Sequence, residues 1–469
     1  MIQPPAVAQE ASGTERAGEA RASAASLSER PEGTGAQRRP RAPSLRRELG
    51  CWDLTAIGIN QVIGGAVFVM PASVAAIVGG WSPILIVGVG LASLLIALTF
   101  AEVGSRFDAT GGPYLYTKAA FGRFAAFEVG WMQWFTRAAS WASVINALIA
   151  YLGFYWPGAT AGTTRTLLLA AIIATLAVIN ILGIRQSAWV VNALTIGKLL
   201  PLALFIALGL PAIDAAALHV GALPATGALS NAALLLIFAY GGYEVIPVPA
   251  GESKDPRRTV PFALIMTIVI VTVVLALVQI VALGTLPGLT SSKTPLADAA
   301  VLFMGASGAA VITLGAILST LGNNMGQALS GSRSLFALAE QNDIPRAFAR
   351  LSVRFGTPVN AILFTAAVSL VLATTGSFSV MAQVSAVSRL VVYVATCAAA
   401  LRLRSARYAG TVPEPTMRLP LGPVIPATAI VIALTILFGA SPAQLMAGAL
   451  ALAAGAALFA VAVLAGRRA

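Results

Sequence analysis

Four ionisable side chains stand inside stretches that are otherwise apolar: Arg137, Lys198, Glu244 and Arg389. A charge at mid-membrane depth costs about 2.5–3.5 kcal/mol on insertion scales, so each marks a functional position by default. Two of the stretches near them carry paired glycines, "NQVIGGAVFVMP" (60–71) and "FAYGGYEVIPVP" (238–249). Glycine in a helix interior costs about 1 kcal/mol relative to alanine, and non-helical backbone survives at membrane depth only where protein buries it or it lines a cavity. A broken helix has something to offer there: the N-terminus of a half-helix presents free N–H groups to an anion, and unwound carbonyls accept from a cation. An α-amino acid carries both charges on adjacent groups. The rival reading is that the glycines only let helices pack closely.

The charged residues divide in the same way. Lys198, in "TIGKLLPLALF", has no acidic residue in its own helix; it is either a proton-coupling group or a fixed structural cation. Glu244 directly follows Gly241-Gly242-Tyr243 and is either a proton carrier or a brace for the unwound segment. Arg137, in "WMQWFTRAASW", could favour an anionic or hydrogen-bonding substrate side chain, or could pair internally with a buried Glu such as Glu244. Arg389 is ambiguous in the same sense, with the structural role favoured by its depth along the helix. Asn323 and Gln327, four apart and therefore on one helical face, either line a pocket or join helices. Trp131, Trp134 and Trp141 read as packing.

These residues need a membrane to be embedded in. The 469-residue chain is 58% hydrophobic and 10% charged, far below the charged share of about a quarter in soluble domains. A hydrocarbon core takes roughly 20 helical residues to cross. On that ruler the chain is an all-α integral membrane protein of twelve transmembrane helices, with spans near 53–79, 82–105, 124–155, 166–184, 188–210, 229–250, 260–284, 299–338, 358–375, 379–403, 421–438 and 443–465. With both termini cytoplasmic, 25 of the 30 basic residues fall on the cytoplasmic side, as orientation by Lys and Arg requires. The net charge of +12 is therefore a topology signal; no nucleic acid is expected, since the basic residues do not cluster on one soluble face. Residues 1–48, rich in Ala, Ser, Gly, Pro, Glu and Arg, read as a disordered cytoplasmic tail, and 49–469 as the membrane domain. Interrupted spans at matching places in two halves point to the central site of a secondary transporter.

Four segments are together specific to one group of proteins: "IGGAVFVMP" in the first span, "AEVGSRFDATGGPYLYTKAAFG" (101–122), "FAYGGYEVIPVPAGESKDPRRTVP" (238–261) and "GSRSLFALAEQNDIPRAFARLSVRFGTPVNAI" (331–362). They resemble the amino acid–polyamine–organocation (APC) superfamily of permeases over nearly the whole chain beyond residue 48. The resemblance implies a five-plus-five inverted repeat, with repeats near 53–210 and 229–403, peripheral helices near 421–465, and helices 1 and 6 broken around the substrate. It implies that the N–H groups of Gly65 and Ala66 hold a substrate carboxylate, and that the carbonyls of Val62, Ile63, Phe238 and Gly241 receive the amino group. The Phe238 ring takes the place of an aromatic gate. Lys198 stands where sodium-coupled relatives hold an ion, Glu244 is similar to a glutamate linked to proton coupling, and Arg137, Asn323 and Gln327 line the side-chain end. One departure is local: similar permeases read Gly, a small residue, then Gly, whereas this chain reads Gly64-Gly65-Ala66, and the added methyl narrows the cradle.

The expectation is thus a sodium-independent amino acid permease, proton-coupled or exchanging, with a transporter-like sensor as the alternative of another class. The substrate is an amino acid or related amine, and protons and membrane lipids are the other partners of a monomer or homodimer. No enzyme chemistry is expected, because the single His219 falls in a loop and no P-loop, HExxH or CxxC is present. No cofactor, metal or disulfide is expected from Cys51 and Cys397, which lack ligand spacing, and no repeated pore motif suggests a channel.

Overall fold

The computed structural model describes residues 50–107, 111–182, 188–247, 253–408 and 410–466. The expected disordered tail, 1–48, lies outside the described residues. Among those described, the chain is helical throughout. It begins with α1 (Cys51–Val62), α2 (Ala66–Val78), α3 (Ser82–Gly104), α4 (Pro113–Phe121), α5 (Arg123–Tyr155), α6 (Gly162–Leu182) and α7 (Ala188–Gly209). It continues with α8 (Thr226–Tyr240), α9 (Pro256–Thr285), α10 (Pro295–Glu340), α11 (Val359–Thr375), α12 (Phe378–Leu403), α13 (Val424–Phe438) and α14 (Pro442–Gly466).

Among the described residues, seven stretches are long and apolar enough to cross a membrane, and four further apolar helices of 10–17 residues accompany them. The first apolar run is two helices rather than one. α1 stops at Val62 and α2 starts at Ala66, so the break falls on Ile63-Gly64-Gly65. The sixth run stops being α-helical at Tyr240, passes Gly241 and Gly242, and makes one 3₁₀ turn over Tyr243–Val245; its last residues, 248–250, lie outside the described residues. Two features have no counterpart in the hydropathy reading. α4 is a nine-residue helix between α3 and α5, and α10 bends at Gly305, whose φ of +71° suits glycine.

Lipid tails are as apolar as leucine, so helix association rests on close packing and hydrogen bonds between helices, each worth on the order of 1 kcal/mol. α5 is held this way on several sides. Ser140 Oγ meets Ser385 Oγ on α12 at 2.8 Å, Asn146 Nδ2 donates to Ala373 O on α11 at 3.1 Å, and Tyr151 Oη donates to Phe68 O on α2 at 2.6 Å. Trp134 Nε1 donates to Thr365 Oγ1 on α11 and Trp131 Nε1 to Ala451 O on α14. These two tryptophans therefore brace the outer helices. The face of α5 that carries Arg137, Ser140 and Val144 is buried in the interior, against α10 and α12.

Candidate functional site

An α-helix ends with four carbonyls that lack an intrahelical partner, and at the end of α1 all of them are met, two by the backbone that follows and two by side chains of other helices. Ile59 O accepts from Ile63 N at 2.8 Å and Val62 O from Gly64 N at 2.8 Å. Lys198 Nζ, on α7, donates to Asn60 O at 2.9 Å and to Ile63 O at 3.0 Å, and Asn323 Nδ2, on α10, donates to Gln61 O at 3.2 Å. The ammonium of Lys198 is 1% exposed and pairs with no carboxylate among the described residues. A cation at the negative end of a helix is favourably placed, and here it also satisfies the broken backbone.

The start of α2 is the opposite. Its N-cap, Gly65, makes no side-chain hydrogen bond, and the N–H groups of Gly65, Ala66 and Val67 donate to nothing among the described residues. Gly64, Gly65 and Ala66 line a cleft, so the positive end of α2 opens onto it. Each glycine has a neighbour that forbids a side chain: a Cβ on Gly64 would lie 2.4 Å from Asn323 Nδ2, and one on Gly65 would lie 2.7 Å from Thr320 Cγ2 and 3.0 Å from Val144 Cγ1.

Across the cleft, the C-terminal end of α8 contributes Phe238 and Gly241. Phe238 O accepts from Gly241 N at 3.0 Å, while Gly241 O accepts no hydrogen bond among the described residues. The Phe238 ring packs edge-on against Phe378, 5.9 Å between centroids. Of the four carbonyls expected to receive an amino group, those of Val62, Ile63 and Phe238 already accept a bond. Ile63 faces Lys198 instead of the cleft, and Gly241 is the acceptor left without a partner.

The ionisable residues converge. Glu244 Oε1 accepts from Arg389 Nη1 at 2.5 Å and from Arg137 Nη2 at 3.1 Å. Its Oε2 accepts from Gly242 N at 2.8 Å and from Tyr393 Oη at 3.2 Å. All three charged side chains are at most 5% exposed, and two guanidiniums against one carboxylate leave the cluster one positive charge in excess. Arg137 Nη1 reaches Gln327 Oε1 at 3.5 Å, and Gln327 Nε2 reaches Asn323 Oδ1 at 3.3 Å. One polar chain therefore runs from Glu244 to the carbonyl end of α1.

Arg389, read from the sequence as the more structural of the two arginines, lines the cleft; Arg137 stands one step behind it. The Arg389 guanidinium lies over Gly241, where a Cβ would be 1.8 Å from Nη1. Ser140 and Val144 also line the cleft. Sequence reasoning missed both, although they lie three and seven residues from Arg137 and share its helical face. The room left is about 10 Å³, roughly one water, so this conformation is closed on its own side chains. The arrangement is a contracted dipolar cleft: free N–H donors on one wall, a free carbonyl opposite, and an arginine filling the space between.

Comparison with known proteins gives the family. The family model described as "Amino acid permease" matches residues 49–465. An uncharacterized transporter of Mycobacterium tuberculosis is 31% identical over 383 residues, covering 78% of this chain and 83% of its own. The serine/threonine exchanger of Bacillus subtilis is 30% identical over 400 residues, covering 82% and 89%. The branched-chain amino acid permease of the same organism is 27% identical over 409 residues, covering 83% and 87%.

Proposed function

The chain belongs to the amino acid permease family of the APC superfamily, and from that premise we propose that it moves a small neutral α-amino acid across the cell membrane by alternating access, without sodium. The observation that carries this reading is the opposition of free N–H groups at Gly65 and Ala66 to the free carbonyl of Gly241. A zwitterion completes both ends of the broken backbone at once. Sodium independence rests on Lys198, whose ammonium already occupies the Asn60 and Ile63 carbonyls that a bound cation would use. The excess positive charge of the Arg137–Glu244–Arg389 cluster disfavours cationic side chains, and the similarity to the serine/threonine exchanger supports a small one. On the same reading α1 with α2 forms the first crossing, α8 with its 3₁₀ turn the sixth, and α14 the twelfth. The distribution of the basic residues supports a cytoplasmic side for both termini.

Two couplings use this site. Exchange is supported by the similarity to the serine/threonine exchanger. Proton symport is supported by Lys198, a buried ionisable group that bridges α1 and α7 with no carboxylate partner among the described residues. Proteoliposomes separate them: exchange needs substrate preloaded inside, whereas symport acidifies the lumen on substrate addition to empty vesicles. Lys198→Met removes the ammonium and leaves two buried carbonyls without donors, each unsatisfied group costing about 1–3 kcal/mol. It is expected to cut initial uptake by more than tenfold. Uptake at the wild-type rate in that variant would leave the lysine no role at the break.

A further inference from the structure

We propose a second ligand site at the end of the bundle where α3 leaves the membrane domain, built to hold a phosphate-type anion from a lipid headgroup or from solution. The last turn of α3, the end of α12 and the segment leading to α13 enclose a cavity of about 350 Å³, within the size range of small-molecule sites. It shares no lining residue with the central cleft. Three guanidiniums, of Arg106, Arg404 and Arg418, line it against two carboxylates, of Glu102 and Glu414.

Both carboxylates are already engaged. Glu102 takes a two-pronged contact from Arg404, whose Nε lies 2.7 Å from Oε1 and whose Nη2 meets Oε2, and Oε2 also accepts from Leu419 N at 3.1 Å. Glu414 is bound at the rim by Arg418 at 2.5 Å. That leaves Arg106, 8% exposed, whose described contact is to a neutral backbone oxygen, Pro413 O, at 3.1 Å. It also leaves Arg404 Nη1, which is buried and has no hydrogen-bond partner. Three guanidiniums against two engaged carboxylates leave the cavity one positive charge in excess, and an unpartnered guanidinium nitrogen beside that open cavity points to an anion as the missing partner. Arginine forks suit the paired oxygens of phosphate. Val412, Pro415 and Leu419 add apolar wall, which suits a headgroup, and basic pockets between helices are where anionic headgroups dock.

The test uses the full chain, delipidated in neutral detergent. One arm titrates phosphatidylglycerol against phosphatidylcholine by native mass spectrometry; the other titrates inorganic phosphate against chloride at constant ionic strength by thermal shift. Saturable binding is expected in at least one arm, and Arg106→Gln is expected to weaken it about tenfold, the loss of one charge-assisted contact. Arg418→Glu, on the exposed rim, is expected to weaken it as well, with a monodisperse size-exclusion profile and a cooperative thermal melt in both variants as the sign of an intact fold. Binding in the lipid arm alone assigns a headgroup; binding in the phosphate arm assigns a soluble anion. No saturable binding in either arm, or an affinity unchanged in Arg106→Gln, overturns the proposal. Because this readout does not use transport, failure of the central-site reading would leave it standing.

Discussion

Glu244→Gln is expected to destabilise the protein by about 3–5 kcal/mol, the cost of removing one partner from a buried ion pair, and to abolish transport. The variant keeps the shape of the side chain but leaves the Arg137 and Arg389 guanidiniums facing each other with no anion between them. It also places an amide nitrogen where Gly242 N–H or Tyr393 Oη donates, so part of the hydrogen bonding inverts. A thermal melt in detergent, with and without substrate, checks the first part, and uptake in proteoliposomes the second. A variant as stable as the parent would mean that the three side chains do not form a coupled cluster. The double change Arg389→Gln, Glu244→Gln is expected to recover part of the loss, since one charge of each sign is then removed.

Gly242→Ala should be nearly as severe, for a different reason. Gly242 has φ +134°, a region that L side chains rarely adopt, and a Cβ there would sit 2.9 Å from both the carbonyl carbon and oxygen of Gln61 and 3.0 Å from Val62 N. Backbone strain of about 1–3 kcal/mol then adds to an overpacking cost of similar size. The obstacle is main chain rather than a flexible side chain, so relief requires the two broken spans to separate. Loss of folded protein on size-exclusion chromatography, or of more than nine-tenths of uptake, is the expected result. Gly79→Ala makes a control: it also has positive φ, +53°, but nothing stands within 4 Å of its Cβ.

These glycines show what the sequence could reveal and where it stopped. Two Gly-Gly pairs inside apolar runs were enough to locate both breaks, because glycine in a membrane helix needs a reason. The reason differs at each position, and all of the reasons are non-local. Gly65 makes way for Thr320 and Val144, Gly241 for the Arg389 guanidinium, and Gly242 for the backbone of the other broken span. No spacing rule reports such neighbours. The all-helical, multi-span character was legible because hydropathy over about 20 residues is a strong signal; α4 and the bend at Gly305 were not, being short and set by tertiary packing.

The charges follow the same pattern. A pairing of Arg137 with Glu244 was one of two readings open from residue types alone. The third member, Arg389, was read as the more structural arginine from its depth along the helix; the helix bounds agree to one residue (379–403 expected, Phe378–Leu403 found), so its place in the cleft lining follows from how α12 packs, which hydropathy does not report. Lys198 was readable as an unpaired intramembrane cation. Its carbonyl partners, Asn60 and Ile63, were not, since they belong to backbone freed only by the break.

The most direct test of the account is uptake of radiolabelled serine into proteoliposomes holding the purified full chain, with choline replacing sodium and with unlabelled serine or nothing inside. Saturable uptake that does not change when sodium is removed, that threonine competes and arginine does not, and that Glu244→Gln abolishes is the predicted result. Uptake that requires sodium, or binding of amino acids with no uptake under either loading, would contradict it.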